Sequence, residues 1–145
     1  MKRPPHTFDA WRLVRDRGVL EGTFAVAAGP RLAERVAADA GPVAWRIEGT
    51  TDGAGRPALA ISIDGNVPVE CQRCLGPLVL TVARRTVTLL AKSERDADAL
   101  DADSDDEVLV ADHPLDANEL VEDELLLTLP FAPMHDEGRC GTGDG

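Results

Sequence analysis

Cys71 and Cys74 stand as C-x2-C in mid-chain, and His135 and Cys140 stand as H-x4-C near the end. They are all three of the cysteines and one of the three histidines. Three thiolates and one imidazole complete a tetrahedral ligand set for Zn2+. A tight turn carrying C-x2-C lets both sulfurs reach one ion and leaves backbone N–H groups to hydrogen-bond them. His135 and Cys140 follow Pro130 and Pro133 and lie among Gly138, Gly141 and Gly143, a stretch with little means of ordering itself. Four protein ligands leave no coordination position for water, so the expected Zn2+ is structural and pins the C-terminal stretch to the middle of the fold. The alternative keeps Cys71 as a small apolar residue on a buried face and His135 and Cys140 on an unanchored tail. A redox dithiol needs its first cysteine at a helix N-terminus; here Gly76-Pro77 and a strand follow the motif instead.

Other reactive groupings are missing. No nucleophile–base pair, glycine-rich phosphate loop or pair of pocketed carboxylates stands out, so no catalytic residue, cofactor-binding residue or small-molecule substrate is expected. The 145 residues suit a single domain. Apolar residues make up 43%. The core must be aliphatic, because the only aromatics are Phe8, Trp11, Phe24, Trp45 and Phe131. No apolar run nears the roughly 20 residues that span a bilayer. The basic start leads into no hydrophobic stretch, so the expectation is cytoplasmic, with no membrane. The net charge of −11 conceals an asymmetry. Residues 1–90 carry a net +3 and residues 91–145 a net −14.

The elements that must position the cysteines read as follows. Residues 6–18 suit a short helix or arm, Val19–Ala27 a strand, and Pro30 to about Ala40 a helix. Val43, Trp45 and Ile47 alternate with polar neighbours, and Asp52-Gly53 signals a hairpin loop. Leu59, Ile61, Ile63, Val67, Val69 and Cys71 then share odd parity, so one long strand delivers Cys71 to the sheet's end. Residues 71–77 form a tight turn. The return strand starts on even positions at Leu78, Leu80 and Val82 and continues on odd ones at Val87 and Leu89, which predicts a bulge near Arg84-Arg85. Residues 92–107 are acidic and poor in apolar side chains, so a mobile loop is expected. Asp116 and Glu119 form a capping box, with Leu115 and Leu120 as its staple, opening a helix over about Ala117–Thr128 that Pro130 stops. Glu124 falls inside that helix's apolar stripe, while Glu122 and Asp123 point outward. Either Glu124 is a buried acid paired with an arginine near the cysteine turn, such as Arg73, or it sits at the rim and reaches water. The fold class is α+β: an antiparallel β-sheet packed by two or three helices, with the acidic loop and a zinc-tethered tail whose residues 141–145 are disordered.

Three stretches together resemble the bacterial YceD family, the large ribosomal RNA subunit accumulation proteins. They are Glu70-Cys71-Gln72-Arg73-Cys74, Leu120-Val121-Glu122-Asp123-Glu124, and Leu129-Pro130 with Pro133-Met134-His135-Asp136 and Cys140. The resemblance implies a non-enzymatic factor needed for synthesis, processing or stability of large-subunit (23S) ribosomal RNA. Two modes of action follow. In the first the protein binds that RNA or a pre-ribosomal particle through Arg73, Arg84 and Arg85, whose guanidinium forks suit phosphates. In the second it is an acidic adaptor that engages a basic ribosomal protein or an RNA-processing enzyme without touching RNA. Arg84-Arg85 would then be a solvated strand face.

Overall fold

The structure, a computed structural model, describes residues 7–37, 40–103, 107–130 and 133–134. Its elements in chain order are β1 (Thr7–Phe8), α1 (Ala10–Arg15), β2 (Val19–Ala25), a 3-10 turn (Val26–Ala28), β3 (Pro42–Thr51), β4 (Pro57–Glu70), β5 (Pro77–Ala91), α2 (Glu94–Asp103), β6 (Glu107–Val110), β7 (Leu115–Asp116) and α3 (Ala117–Thr128). Five strands form one sheet in the order β2-β3-β4-β5-β6, and β1 pairs separately with β7. No helix among the described residues is long and apolar enough to cross a membrane.

Period-two alternation builds the sheet. The register pairs Phe24 with Val43, Trp45 with Ile63, Ile47 with Ile61 and Val67 with Leu80, so their side chains share one face. That face is the core, and Leu120, Val121 and Leu125 of α3 close over it. Each such side chain, fully buried, contributes ~1.5–3 kcal/mol. Helix α1 lies against β3, where Gly49 makes room: a Cβ there would sit 2.2 Å from the Leu13 carbonyl oxygen. Trp11 Nε1 donates to the Ala111 carbonyl at 2.8 Å, fastening the N-terminal arm to the segment before β7.

The mainly antiparallel sheet with three helices among the described residues agrees with the α+β expectation. Four details differ. First, β6 joins β5 in parallel. A parallel partner requires a crossover, and α2 supplies it where an acidic loop is expected. Ser93 starts this helix: its Oγ accepts from the Asp96 N–H at 3.2 Å, and its carbonyl accepts from the Ala97 N–H at 2.9 Å. Glu94 and Asp96 in the first turn complement the helix dipole. Residues 104–106 of the expected loop, and the whole of 141–145, lie outside the described residues.

Second, the described residues between Pro30 and Ala40 form no helix; residues 30–36 form turns. Bonds to other elements hold this segment instead. One Glu122 oxygen accepts from the backbone N–H groups of Arg31 at 2.8 Å and Leu32 at 3.1 Å. The Ala37 N–H is then drawn to the Pro68 carbonyl at 2.8 Å, away from any helical partner. Third, Glu122 therefore points inward, only 3% exposed, although its helix position suggests a surface acid. Fourth, no bulge interrupts β5. Its pairing with β4 holds one register from Glu70↔Pro77 to Ala58↔Leu89. The even-numbered Arg84, Thr86 and Thr88 thus stay on the core face, where their polarity imitates a change of parity.

Glu122→Ala leaves the two N–H groups and the Arg31 Nε without their acceptor. It should lower unfolding free energy by about 3 kcal/mol in urea titrations. Glu122→Gln, which keeps one acceptor oxygen, should cost less. An Ala variant within ~0.5 kcal/mol of the parent would show that the 30–36 turn stands without this carboxylate.

Candidate functional site

Strand β4 hands the chain to the cysteine turn and β5 takes it away, with Glu70↔Pro77 as the last pair between them. Within the turn the Cys71 N–H donates to the Gly76 carbonyl at 2.9 Å and the Leu75 N–H to the Cys71 carbonyl at 2.8 Å. Leu75 holds the left-handed conformation at φ 61°. A non-glycine residue there costs ~1–2 kcal/mol. The strained residue reverses the chain directly after Cys74, so both sulfurs ride on one six-residue reversal. Cys71 is fully buried and Cys74 is exposed.

The segment after α3 comes to this same turn. The Gln72 N–H donates to the Pro133 carbonyl at 2.8 Å, and Arg73 Nη2 lies 3.9 Å from Met134 Sδ. His135 and Cys140 lie outside the described residues, as does Phe131. Among the described residues no three His, Cys, Asp or Glu side chains gather as a metal site. A cavity of about 660 Å3 opens beside the turn, walled by Leu75, Pro77, Leu80, Leu129, Pro130 and Pro133.

The arginine expectations need correction. Glu124 is buried, and its partner is Arg84 rather than Arg73: Arg84 Nε donates to Oε2 at 3.2 Å, and the Thr86 hydroxyl donates to the same oxygen at 3.0 Å. Neighbouring residues of a strand face opposite ways, so Arg85 points to the other side of the sheet, where it is exposed. Arg73 is exposed in the turn beyond Pro77, itself about 23 Å along β5 from Arg84 at ~3.3 Å per residue. The three arginines therefore occupy three separate surroundings rather than one basic face.

The sequence reading passes over a second set of residues. Arg31 Nε donates to Glu122 at 3.2 Å and its guanidinium also pairs with Asp123. Arg35 reaches the carbonyls of Leu126, Leu129 and Pro130 at 3.5, 3.3 and 3.1 Å, satisfying the C-terminal end of α3. A signal was present: α3 carries three successive acids, Glu122, Asp123 and Glu124, too many for one outward face. The arrangement holds polar pairs inside a packed layer. It displays no nucleophile–base geometry.

Arg84→Leu leaves Glu124 buried with only Thr86 to answer it. The loss should be about 2 kcal/mol, less than for a fully buried pair because Arg84 is 39% exposed. Glu124→Leu should cost less, since the guanidinium can turn to water. The double variant should regain most of the parent's stability, and strictly additive losses in a denaturation cycle would contradict the pairing.

No solved structure matches the chain. A family model, described as "Large ribosomal RNA subunit accumulation protein YceD", matches residues 59–144, from early in β4 through the cysteine turn and α3. This chain belongs to the YceD family, whose name ties it to the accumulation of large-subunit ribosomal RNA.

Proposed function

We propose that the chain serves large-subunit ribosomal RNA accumulation as a non-enzymatic, cytoplasmic adaptor that engages a basic protein, either a ribosomal protein or an RNA-processing enzyme. The observation that carries this is where the charges go. Arg12 and Arg15 pair with Asp16, Arg31 with Glu122 and Asp123, Arg46 with Glu48, Arg56 with Asp52 and Asp103, and Arg84 with Glu124. Six of the twelve lysines and arginines among the described residues are thus answered by the protein's own acids. Helix α2 displays Glu94, Asp96, Asp98, Asp101 and Asp103 and buries none of its side chains. Such a surface attracts cationic partners and repels polyphosphate at long range.

Direct contact with RNA is the second reading. Arg73 and Arg85 favour it, being exposed and without an ion pair among the described residues. Capture of ribosomal partners from lysate, with and without nuclease, separates the two. The adaptor should keep its partner after nuclease; loss of every ribosomal partner would transfer the role to Arg73 and Arg85.

A structural Zn2+ held by Cys71, Cys74, His135 and Cys140 belongs to the same proposal. Two features support it. Both mid-chain sulfurs sit on one reversal, and the Pro133 carbonyl is held by Gln72, two residues before His135. Thiolate and imidazole suit zinc, which would supply order and no reactive position. Elemental analysis of tag-free, freshly reduced protein should find one zinc per chain. Chelation should raise protease cleavage after Met134, and metal-free protein with the same cleavage pattern would remove the ion from the proposal.

A further inference from the structure

We infer that the groove between α3 and the edge strand β6 is the docking site for an extended, basic segment of the partner protein, an inference that rests on the adaptor reading. The groove has a volume of about 630 Å3. Its floor is the sheet's core face at Ile61 and Leu109, and its wall is α3 at Leu120 and Leu127. Packing should have closed this space. Instead Leu127 stands 65% exposed at the mouth, a large apolar side chain held next to an apolar recess. An incoming aliphatic side chain would cover both, removing apolar surface from water on each partner.

Charge fixes the chemistry of the occupant. Asp101 and Glu107 stand at the groove's mouth, both exposed. Neither has a cationic partner among the described residues, in contrast to Glu122, Asp123 and Glu124 nearby. Lysine or arginine would complete them. The strand order fixes the occupant's shape. Because β6 ends the sheet, its outer backbone groups have no strand partner among the described residues. An extended segment can add there as a further strand, with alternate side chains entering the groove. A helix would leave those backbone groups unanswered, and a nucleic acid would meet like charge.

The test titrates the full chain with two fluorescein-labelled heptapeptides, one alternating arginine with valine, the other arginine with glycine. The valine peptide should bind at least tenfold more tightly. Leu127→Ser should weaken it by about tenfold, and the pair Asp101→Asn with Glu107→Gln should weaken it similarly and flatten its salt dependence. Both sets of substitutions are at exposed positions, so the fold is retained. Equal binding of the two peptides, or no effect of Leu127→Ser, would overturn the groove while nuclease-resistant capture of a basic partner left the adaptor standing. Loss of that capture would overturn the adaptor reading, and the groove's role with it.

Discussion

Two carboxylates on α3 must be answered inside the protein, and the rest of the structure is arranged around that need. Glu122 and Glu124 are both nearly inaccessible to water. An isolated buried carboxylate costs several kcal/mol, so each has to meet donors at a fixed place. Glu124 finds them on the sheet, at Arg84 and Thr86. Glu122 finds them on the opposite flank, at two backbone N–H groups and the Arg31 guanidinium. Apolar packing alone would allow the helix to slide or rotate over a leucine- and valine-rich sheet. Directional bonds on both flanks remove that freedom, and Arg35 at the helix's C-terminal end stops translation along its axis.

The same bonds explain which parts of the fold could be read from the residues. Helix α3 was legible because its signals are local: Asp116 caps the N–H groups of Asn118 and Glu119, and Leu129-Pro130 ends the periodic run. The long odd-parity strand and the cysteine turn were legible for the same reason. The return strand was misread where a polar patch lies on the core face, because parity rules assign Arg84, Thr86 and Thr88 to solvent unless their partner is known. That partner is 40 residues away in Arg84's case. The missing helix after Pro30 has the same origin, since the Ala37 N–H is held by the Pro68 carbonyl of β4 rather than by a helical partner. For α2 the difference is of another kind: low hydrophobicity predicts a loop, while a serine cap and the crossover that a parallel β6 requires favour a helix.

The candidate site divides in the same manner. That Cys71 and Cys74 share a tight turn was evident from their spacing with Gly76-Pro77. That the chain after α3 returns to this turn was expected only through shared ligands, yet among the described residues a backbone bond between Gln72 and Pro133 brings it there. The three arginines looked alike in the sequence. Tertiary context distinguishes them, with one paired to a buried acid, one on the outer sheet face and one at the turn. The family match spans these parts and agrees with motifs that no single element would have revealed.

The pairing of β1 with β7 bears on how the polypeptide acquires its shape. Strands β2 to β5 are sequential hairpins and can assemble as soon as they leave the ribosome. Thr7 and Phe8 precede these strands, but they pair with Asp116 and Leu115, and Trp11 waits for a carbonyl 100 positions onward. Residues 7–11 are therefore among the last to settle, arriving as α3 is capped by the same Asp116 that Thr7 pairs with. About a hundred further residues must be made before the strand at Thr7–Phe8 can find its partner.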